Sequence, residues 1–273
     1  MIGSDILGNR RPFILGCMPP SLRLGVAMRW FRKKDKYKYL YKNSGLYLNP
    51  AIKMDLLPGD VVSDSIALTG MYEHEKAKRL VQIARDGKTL VDVGANLGFF
   101  SLLWASVDQK NKVVAFEASP RNIHFLRKNI ATNSLGNQIS LFPKAVGLER
   151  GVLEFDIGNE EQTGWGGFTN SRNDRTISVE VVSLDEMLQT YPIVHLLKID
   201  IEGADFWALK GCEKLLQEKR ILEIWFEENK PRAKALGIKE NACQNFLVNL
   251  GYKVIPEGNP KAETVDWRAV RVR

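Results

Sequence analysis

Cysteine and histidine are scarce in this chain of 273 residues, which contains three of each. The three cysteines are odd in number and far apart, at Cys17, Cys212 and Cys243. This pattern argues against a disulfide framework and against a zinc site. It is consistent with a reducing compartment, in which each cysteine serves as a small buried hydrophobic side chain.

Long apolar runs are also missing. The most apolar stretch near the start, residues 12–30, is interrupted by Pro19 and Pro20 and carries Arg23 and Arg29, so it falls short of a membrane-spanning helix. It also lacks the unbroken apolar centre and the small-residue cleavage site of a secretory signal. We therefore expect a cytoplasmic protein, with peripheral contact to a membrane left open.

No internal repeat and no low-complexity tract is present. Apolar residues make up 44% and charged residues 26% of the chain, which is ordinary for a soluble globular protein. The length suits one α/β domain of about 180 to 200 residues with an appendage. The last turn signal before the regular pattern is the Leu-Pro-Gly-Asp segment at 57–60. We therefore divide the chain into an N-terminal extension, residues 1–58, and a main domain, residues 59–273.

Positive charge is concentrated at the N-terminus. Residues 1–45 contain ten Lys and Arg against two acidic residues, a net charge of +8, whereas the remaining chain carries 29 basic and 30 acidic residues. A basic arm interleaved with aromatic residues, here residues 10–42, could contact anionic lipid headgroups, a nucleotide-activated sugar or nucleic acid. The alternative is a solvated extension whose aromatic side chains pack on the main domain.

Apolar segments and helical patterns alternate after residue 70. The predicted core strands are residues 89–93, 112–117, 139–142, 194–199, 220–226, 252–255 and 267–272. The predicted helices are residues 72–84, 97–106, 120–133, 204–217 and 241–250. Two alternating segments, 151–157 and 176–182, predict an antiparallel excursion. Together these elements predict an α/β fold with a doubly wound, mostly parallel seven-stranded sheet that ends in an antiparallel hairpin.

A glycine-containing loop follows the first predicted strand. It has the pattern Asp92-x-Gly94-x-Asn96-x-Gly98 and leads into a helix, which is where open parallel sheets bind ligands. Glu117 ends the next strand, about twenty residues on, in position to accept both hydroxyls of a ribose. The combination of strand, loop, helix, strand and terminal acid predicts a nucleoside-containing cofactor. The alternative is a tight turn with a helix-capping acid.

Two cofactor classes suit such a loop. A nicotinamide or flavin dinucleotide needs a glycine where this chain has Asn96, because the pyrophosphate is held by backbone at the start of the helix. S-adenosylmethionine has no phosphate and presents an amino-acid end, which Asp92 and the loop backbone could hold. The loop therefore favours S-adenosylmethionine.

Several segments resemble the FkbM-type methyltransferase family. The similarity runs from about residue 60 to about residue 230, and residues 1–45 lie outside it. Its most specific part is the Lys-x-Asp-x-Glu-Gly pattern within residues 197–205. The other segments are the cofactor loop with Phe99-Phe100, Gly70-Met71-Tyr72-Glu73, Glu117-Ala118-Ser119-Pro120, Lys144-Ala145-Val146-Gly147 and Ser183-Leu184-Asp185.

The resemblance implies a class I, Rossmann-like methyltransferase that uses S-adenosylmethionine. It implies O-methylation of a hydroxyl, often on a sugar of a polysaccharide, glycolipid or natural product. It places Asp92, Gly94, Asn96 and Gly98 at the methionine side of the cofactor and Glu117 at the ribose. Residues around Ala145 would lie near the adenine, where many related enzymes have an acidic residue and this chain has none.

Removal of the acceptor proton requires a base or a metal ion. Methyl transfer to a hydroxyl is an in-line displacement, and a sugar hydroxyl is a weak nucleophile until its proton is taken. Asp200 follows the fourth core strand at the sheet edge that carries the cofactor loop, and we expect it to be the catalytic base, with Glu202 second. The alternative is that these carboxylates cap the next helix and that Lys198 simply pairs with Asp200.

Other polar groups could join the site. His74 is a third catalytic candidate, and its neighbour Glu73 could close over the cofactor; the alternative is a polar helix start. Asp200 with one of residues 227–229 could hold a divalent cation through oxygen ligands, although we assign no metal ligand. His195 and His124 are expected to be structural. The aromatic loop of residues 163–168, with Trp165, could cover the acceptor.

Two other classes of function compete with this interpretation. A nucleic-acid methyltransferase is favoured by the basic arm, but Asp200 is followed by Ile201-Glu202 rather than by the proline motif that holds a flipped base. A non-catalytic binding protein is opposed by the intact loop and Glu117. We therefore expect a small-molecule or glycan acceptor, peripheral contact with an anionic membrane through residues 10–42, and no stable nucleic-acid partner.

Overall fold

The computed structural model describes residues 13–18, 20–30, 35–159, 163–169 and 172–272. Half of the basic residues of the N-terminal segment, Arg10, Arg11 and residues 32–34, lie outside these ranges. Within the described ranges, the longest apolar helices are too short or too polar to span a bilayer.

The N-terminal part consists of short helices and a small antiparallel sheet. Its elements, in chain order, are α1 (Phe13–Gly16), α2 (Pro20–Trp30), a 3-10 helix (Asp35–Tyr41), β1 (Ser44–Gly45), β2 (Lys53–Met54), α3 (Val61–Thr69) and α4 (His74–Ile83). Strand β1 pairs with β2, and α2 packs against α3. The Asp60 side chain caps α3 by accepting a hydrogen bond from the backbone N–H of Ser63 at 2.8 Å.

The elements of the remaining chain alternate as a doubly wound fold requires. They are β3 (Thr89–Val93), α5 (Phe99–Ala105), β4 (Lys112–Phe116), α6 (Pro120–Thr132), β5 (Ile139–Phe142), β6 (Ala145–Val146), β7 (Gly151–Asp156), a 3-10 helix (Thr163–Trp165), β8 (Gly167–Phe168), β9 (Thr176–Val182), α7 (Leu184–Met187), β10 (Val194–Ile199), α8 (Asp205–Lys210), α9 (Glu213–Gln217), β11 (Ile221–Asn229), α10 (Lys230–Ala235), α11 (Ala242–Asn249), β12 (Tyr252–Glu257) and β13 (Thr264–Arg271).

The central sheet has seven strands in the order β12-β13-β11-β10-β3-β4-β5. Strands β3, β4, β5, β10 and β11 pair in parallel, whereas β13 runs antiparallel to both of its neighbours. One hydrophobic cluster covers each face, and most residues of the inner strands are apolar, as in buried parallel sheets. This arrangement confirms the predicted fold class and its terminal antiparallel hairpin.

The predicted antiparallel excursion forms a second sheet. Its four strands have the order β6-β9-β7-β8, and β7 pairs with β9 in antiparallel register. Phe155 and Val181 form its small apolar cluster with Ala145. Phe168 contacts Trp207 of α8, with ring centroids 5.7 Å apart. The second sheet is thereby held against the main domain at the edge where the central parallel strands end.

The N-terminal part shares its core with the central sheet. Leu40, Leu46 and Met54 are buried in the same hydrophobic cluster as Trp104 of α5 and Leu126 of α6. Packing is therefore continuous across residue 58, and the division of the chain at that point stays a prediction.

Asn129 of α6 and Asn133, which caps the end of that helix, also bind the backbone of β2 and of the residue after it. Asn133 accepts a hydrogen bond from the Lys53 N–H at 2.8 Å and donates to the Lys53 carbonyl at 2.6 Å. Asn129 accepts from the Asp55 N–H at 2.7 Å and donates to the Asp55 carbonyl at 3.1 Å. The two side-chain amides, one helical turn apart, thus take the place of a neighbouring strand.

Two predicted elements differ from the structure. The helix expected at 204–217 is divided into α8 and α9, because the backbone leaves the helical conformation at Cys212, which has a φ of −123°. Gly211 beside it packs so closely that a Cβ there would lie 2.1 Å from the Gly147 carbonyl oxygen. The strand expected to end at Phe226 continues to Asn229, because β13 pairs with β11 along its whole length. Residues 227–229 therefore belong to the strand and do not follow it.

Candidate functional site

The loop between β3 and α5 makes a turn that requires glycine at two positions. Gly94 has a φ of +77°, and a Cβ there would lie 2.0 Å from the Asp200 carbonyl oxygen. Gly98 has a φ of +95°, and a Cβ there would lie 2.4 Å from Leu126 Cδ1. Any other residue would strain the backbone and clash with the next strand or with α6. The two glycines therefore determine the shape of this loop.

Glu117 is joined to the loop by a short hydrogen bond. Its Oε2 accepts from the Asn96 N–H at 2.8 Å, and its Oε1 accepts from the Ser119 N–H at 2.8 Å. The side chain is almost fully buried, and burial raises the pKa of Glu117 against the opposing effect of these N–H donors. The loop and the acid after β4, which the sequence placed together, are in direct contact.

A cavity of about 550 Å³, which we call the cofactor cavity after the ligand expected there, opens beside this contact. Asn96 and Glu117 line one part of it, and Asp200 and Glu202 line another. Asn96 Oδ1 and Ser119 Oγ are buried there without a hydrogen-bond partner among the described residues. Buried polar atoms are normally paired, so these two are suited to a bound polar ligand. A carboxylate with free lone pairs beside unpaired amide and hydroxyl groups fits the ribose and amino-acid parts of S-adenosylmethionine.

Ala145 lies on the wall of the same cavity, and its proximity to an adenine stays a prediction. It belongs to β6 and is flanked by Lys144 and Val146, which also line the cavity. Lys144 forms an ion pair with Glu180 of β9. This part of the wall therefore carries a small apolar side chain and an ion-paired lysine. Position 145 itself has no acidic side chain.

Asp92 lies beneath the loop rather than on the cavity wall. Its Oδ2 accepts a hydrogen bond from Ser101 Oγ at 2.6 Å, and its Oδ1 is 3.7 Å from Lys198 Nζ. These contacts support the loop from below. A contact between Asp92 and a cofactor stays a prediction.

Lys198 places a buried positive charge between two carboxylates. Its Nζ lies 3.3 Å from Asp200 Oδ2 and faces Asp92 on the other side. Burial alone would lower the pKa of Lys198, but the two carboxylates, Asp200 foremost, raise it instead. Burial likewise acts to raise the pKa of Asp200, and Lys198 reverses this and lowers it. Asp200 is therefore an ionised carboxylate on the cavity wall.

Other carboxyl groups on this wall are less acidic. Burial raises the pKa of Glu202 to about 6, against the effect of Arg232, whose Nε lies 3.5 Å away. Burial, together with the charges of Asp200 and Glu202, raises the pKa of Glu227 to about 9. Glu227 is therefore protonated at neutral pH and can donate a hydrogen bond.

Asp205, which the sequence did not single out, is buried behind these groups. Its Oδ1 accepts a hydrogen bond from the backbone N–H of Glu227 at 3.2 Å, and its Oδ2 has no partner among the described residues. Burial raises the pKa of Asp205 to about 8. The first position of a helix is a common place for an acid, so no signal in the sequence distinguished Asp205 from an exposed helix-capping residue.

The carboxylates do not converge on a metal site in the part of the chain that the structure describes. No group of three or more His, Cys, Asp or Glu side chains there is arranged to hold a metal ion. Asn229, the third residue considered for a cation, donates a hydrogen bond to Glu202 Oε2 at 3.0 Å.

His74 and Glu73 lie outside the cofactor cavity, at the start of α4. Glu73 forms an ion pair with Lys76 at 3.0 Å, and the His74 ring packs edge-on against Tyr47 with centroids 5.7 Å apart. Burial lowers the pKa of His74 and raises that of Glu73. Both residues line a second cavity, which adjoins the first. Catalysis by His74 and closure of Glu73 over a cofactor both stay predictions.

The expected structural role of His195 is visible in its contacts. Its Nδ1 accepts a hydrogen bond from the Thr89 N–H at 3.1 Å, which joins the start of β3 to β10. Such a bond requires a neutral imidazole, and burial lowers the pKa of His195 accordingly.

The aromatic loop lies at the mouth of the cofactor cavity. The Trp165 carbonyl oxygen accepts hydrogen bonds from Nη1 and Nη2 of Arg232, each at 3.1 Å. The guanidinium also lies over the Trp165 ring, 5.8 Å from its centroid, and the indole is 54% exposed. Arg232 of α10 thus ties this loop to Glu202, a connection that the sequence did not indicate.

The sheet order, with its antiparallel β13, and the loop at the end of β3 define a class I methyltransferase fold. Residues 92–254 match the sequence profile described as the methyltransferase FkbM domain. This match covers more than half of the chain, and the protein belongs to that family, as the motifs indicated.

Similar proteins of named activity are distant. The methyltransferase sdnD of Sordaria araneosa is 24% identical over 170 residues, which cover 50% of this chain and 66% of that protein. The hexuronic acid methyltransferase AglP of Haloferax volcanii is 24% identical over 156 residues, with 56% and 61% covered. A tRNA(Phe) (4-demethylwyosine(37)-C(7)) aminocarboxypropyltransferase of Methanocaldococcus jannaschii is 26% identical over 151 residues, with 52% and 56% covered. The chain thus spans less than two thirds of the length of each of these relatives.

A solved structure of an FkbM methyltransferase from Methylobacillus flagellatus is also similar. It superposes with a TM-score of 0.49 at 15% identity, covering 77% of this chain and 53% of the other.

Proposed function

We propose that this protein is an S-adenosylmethionine-dependent O-methyltransferase whose acceptor is a hydroxyl on a sugar of a polysaccharide, glycolipid or natural product. The observation that carries the proposal is a single cavity with Glu117 and Asn96 on one part of its wall and the ionised Asp200 on another. Membership of the FkbM family supports the methyl transfer. The name of the relative AglP, a hexuronic acid methyltransferase, supports a sugar as acceptor.

The cofactor would be held by groups that otherwise lack partners. Glu117 would accept hydrogen bonds from the ribose hydroxyls, while Asn96 Oδ1 and Ser119 Oγ would pair with polar atoms of the ligand. When bound, S-adenosylmethionine supplies a methyl group on a positively charged sulfur. The turn that Gly94 and Gly98 allow keeps the backbone of Asn96 beside Glu117, on the wall where the cofactor would lie.

The acceptor would be activated by Asp200. Its carboxylate would take the proton of the attacking hydroxyl, and Lys198 keeps that carboxylate ionised. Glu227, protonated at neutral pH, would donate a hydrogen bond to an oxygen of the acceptor and orient it. Glu202, held by Asn229 and Arg232, would be the next carboxylate in reach. The cytoplasmic location expected from the sequence stays a prediction.

Calorimetric titration with S-adenosylmethionine tests the cofactor. We expect binding to the wild-type chain and a loss of about 10- to 100-fold in affinity for Glu117→Gln, because charge-assisted hydrogen bonds to ribose are removed. The exposed Glu149→Gln is the matched control and should bind normally. Absence of binding to the wild-type chain would refute the proposed function.

A second experiment distinguishes the group that is transferred and the acceptor. The chain is incubated with glycans, glycolipids or tRNA and with donor labelled in the methyl carbon or, separately, in the carboxyl carbon. Methyl label in a saccharide product supports the proposal. Carboxyl label in a product would indicate aminocarboxypropyl transfer, the activity in the name of one relative. Methyl label in tRNA alone would show that the acceptor is a nucleic acid and not a saccharide.

A further inference from the structure

A second cavity of about 510 Å³ lies between α4 and the strands β11, β12 and β13. We call it the α4 cavity. Lys198, Asp200 and Glu227 line both this cavity and the cofactor cavity. Asp200, the proposed base, therefore lies at the boundary between two adjoining cavities, and the cofactor would occupy only the first.

Three polar atoms in residues of the α4 cavity lack partners. Glu73 Oε2, His74 Nδ1 and Trp267 Nε1 are buried, and none has a hydrogen-bond partner among the described residues. A carboxylate oxygen accepts, an indole N–H donates, and an imidazole nitrogen does either. A ligand rich in hydroxyl groups, each of which both donates and accepts, can satisfy all three.

Two indole rings give the α4 cavity apolar surface. Trp225 is fixed in orientation because its Nε1 donates to Glu223 Oε1 at 2.7 Å. Trp267 is stacked on Phe226, with the ring planes 10° apart. A rigid aromatic surface with a few polar groups is typical of sites for small organic ligands. It is also suited to the apolar face of a sugar ring, whose hydroxyl groups lie at its edge.

The charges around the α4 cavity are balanced in pairs. Lys76 lies 3.0 Å from Glu73 and 2.6 Å from Asp266, and Arg79 and Arg268 both contact Glu257. The remaining lysines of the lining, Lys78 and Lys198, are paired with Glu75 and Asp200. Every cation of the described lining thus has an acidic partner. A negatively charged ligand would meet no surplus positive charge, so this surface favours a neutral one.

We propose that the α4 cavity binds a neutral sugar ring of the acceptor, adjacent to the ring whose hydroxyl is methylated. This proposal rests on the proposed function. It makes the acceptor a disaccharide unit or longer, with one ring at Asp200 and the next between α4 and the indoles. A hexuronate in the α4 cavity would bring its carboxylate against Glu73 and Asp266.

Saturation-transfer NMR on the chain loaded with S-adenosylhomocysteine tests this assignment. The probes are the neutral disaccharides cellobiose, maltose and lactose, with digalacturonate as the charged counterpart. We expect a neutral disaccharide to bind and digalacturonate not to bind. Trp267→Leu should weaken the neutral disaccharide by about tenfold, as for an aromatic anchor, and Trp30→Leu, an exposed tryptophan on α2, is the control.

The conservative variant Trp267→Phe keeps a six-membered aromatic ring and removes the five-membered ring with its N–H, so it gives an answer even if Trp267→Leu fails to fold. We expect it to weaken binding by less than Trp267→Leu does. Binding of no neutral disaccharide, equal binding of digalacturonate, or affinities that neither variant changes would each overturn the α4 assignment. Calorimetry with S-adenosylmethionine on the same samples separates the two proposals, because the proposed function fails only if the cofactor itself does not bind.

A different observation concerns α1 and α2, where large apolar side chains face solvent. Leu22 and Trp30 are each 61% exposed, Ile14 is 53% exposed and Leu24 is 42% exposed. Helix α2 contains no acidic residue, and its exposed Arg29 lies beside Trp30. An apolar helix surface in water is unfavourable unless something covers it. Because residues 1–45 carry a net charge of +8, an anionic surface is the complementary occupant.

We infer that α2 lies in the interface of an anionic membrane, with Leu22 and Trp30, which share one face of the helix, inserted among the lipids. Cosedimentation of the full chain with vesicles tests this. Vesicles with one third phosphatidylglycerol should bind the chain, and vesicles of phosphatidylcholine alone should not. Replacing Leu22 and Trp30 by serine should reduce binding by about tenfold or more. The matched control replaces two exposed valines elsewhere, Val248 and Val272, by serine.

Two results would overturn the membrane assignment. One is binding that the serine variants leave unchanged, because charge alone would then explain it. The other is preferential binding of tRNA over anionic vesicles in competition, which would assign the basic segment to nucleic acid.

Discussion

The backbone of Gly94 packs directly against the carbonyl oxygen of Asp200, at a distance that leaves no room for a Cβ atom. The contact arises because β3 and β10 are adjacent parallel strands, with Val93 opposite Ile199 and the Asp200 N–H bonded to the Val93 carbonyl at 3.1 Å. The cofactor loop and the proposed base are thus parts of one rigid unit. Because the sheet fixes both groups, it also fixes the position of the cofactor relative to the proposed base, which methyl transfer requires.

Gly94→Ala should therefore impair both loop and base. We expect a loss of about 2 kcal/mol or more in unfolding free energy, from left-handed backbone strain and overpacking, and loss of S-adenosylmethionine binding. Urea denaturation and calorimetry measure the two effects. Gly136→Ala is the control, because a Cβ there meets nothing within 4 Å. Normal cofactor binding by Gly94→Ala would contradict the structure of this loop.

Asp200→Asn should abolish most turnover while leaving the cofactor in place. Removal of a general base costs about 10²- to 10⁴-fold in rate, whereas Asn keeps the shape and the strand-end packing of Asp. Steady-state assays with the acceptor found above give kcat, and calorimetry gives cofactor affinity. The exposed Asp174→Asn serves as control. Unchanged kcat would remove Asp200 from the mechanism.

Lys198→Met should destabilise the protein and shift its pH dependence. It leaves the buried Asp92 and the partly exposed Asp200 without a counter-charge, which costs about 3–5 kcal/mol. Because Lys198 lowers the pKa of Asp200, the wild-type carboxylate stays ionised until pH falls below its ordinary range, and the stability it contributes is lost only there. In the variant, the acidic limb of the pH–rate profile should move to higher pH.

Denaturation at several pH values and a pH–rate profile check this, with the exposed Lys214→Met as the control. A loss of stability below about 1 kcal/mol, as for a surface pair, would show that Lys198 is not the counter-charge described.

Asp205→Asn should stabilise the protein at neutral and alkaline pH. Burial raises the pKa of Asp205 from its ordinary 3.8 to about 8, so the folded state retains a proton that the unfolded state has released between these values. Wild-type stability from this group is therefore fully present below about pH 4 and falls as the pH rises to about 8. Asparagine imitates the protonated acid and does not titrate. The difference in unfolding free energy between variant and wild type should grow over this range and level off above it.

Equal pH dependence of the two proteins would show that Asp205 is ionised in the folded state. Glu213→Gln, also in the first turn of a short helix but half-exposed, is the control and should leave the pH dependence unaltered.

Arg232→Met should loosen the aromatic loop over the cofactor cavity. It removes two hydrogen bonds to the Trp165 carbonyl and the contact with Glu202. We expect faster proteolysis within residues 163–169 and faster cofactor release, by about tenfold, for the loss of about 1–2 kcal/mol. Limited proteolysis with mass spectrometry and stopped-flow binding measure these rates. Lys234→Met, exposed on the same helix, should behave like wild type; identical behaviour of Arg232→Met would exclude an anchoring role.

Local sequence patterns predicted the parts of the site that neighbouring residues build. The spacing from Asn96 to Glu117 spans one βαβ unit, so a single strand–helix–strand passage brings them together, and their hydrogen bond follows. Lys198 and Asp200 are two residues apart, which likewise places their side chains on the same face of the extended chain, where they pair.

Groups that depend on distant pairing could not be predicted in the same way. Glu227 belongs to a strand only because Asp266, about forty residues later, lies opposite it in β13. Burial of Asp205 depends on that same strand. The link between Arg232 and Trp165 joins segments whose approach no periodicity reveals. Burial, and with it every large pKa change of the site, is a property of the assembled sheet.

The pairing of Asn129 and Asn133 with the backbone of residues 53–55 limits how the chain can be shortened. A protein that starts at residue 59 would lack β2 and leave the side-chain carbonyl oxygens of both asparagines without these partners, beside an uncovered patch of core around Trp104 and Leu126. Recombinant expression from residue 59 onward should therefore yield aggregated material. The catalytic unit, for anyone wishing to crystallise it or transplant it, begins well before its first cofactor-binding strand.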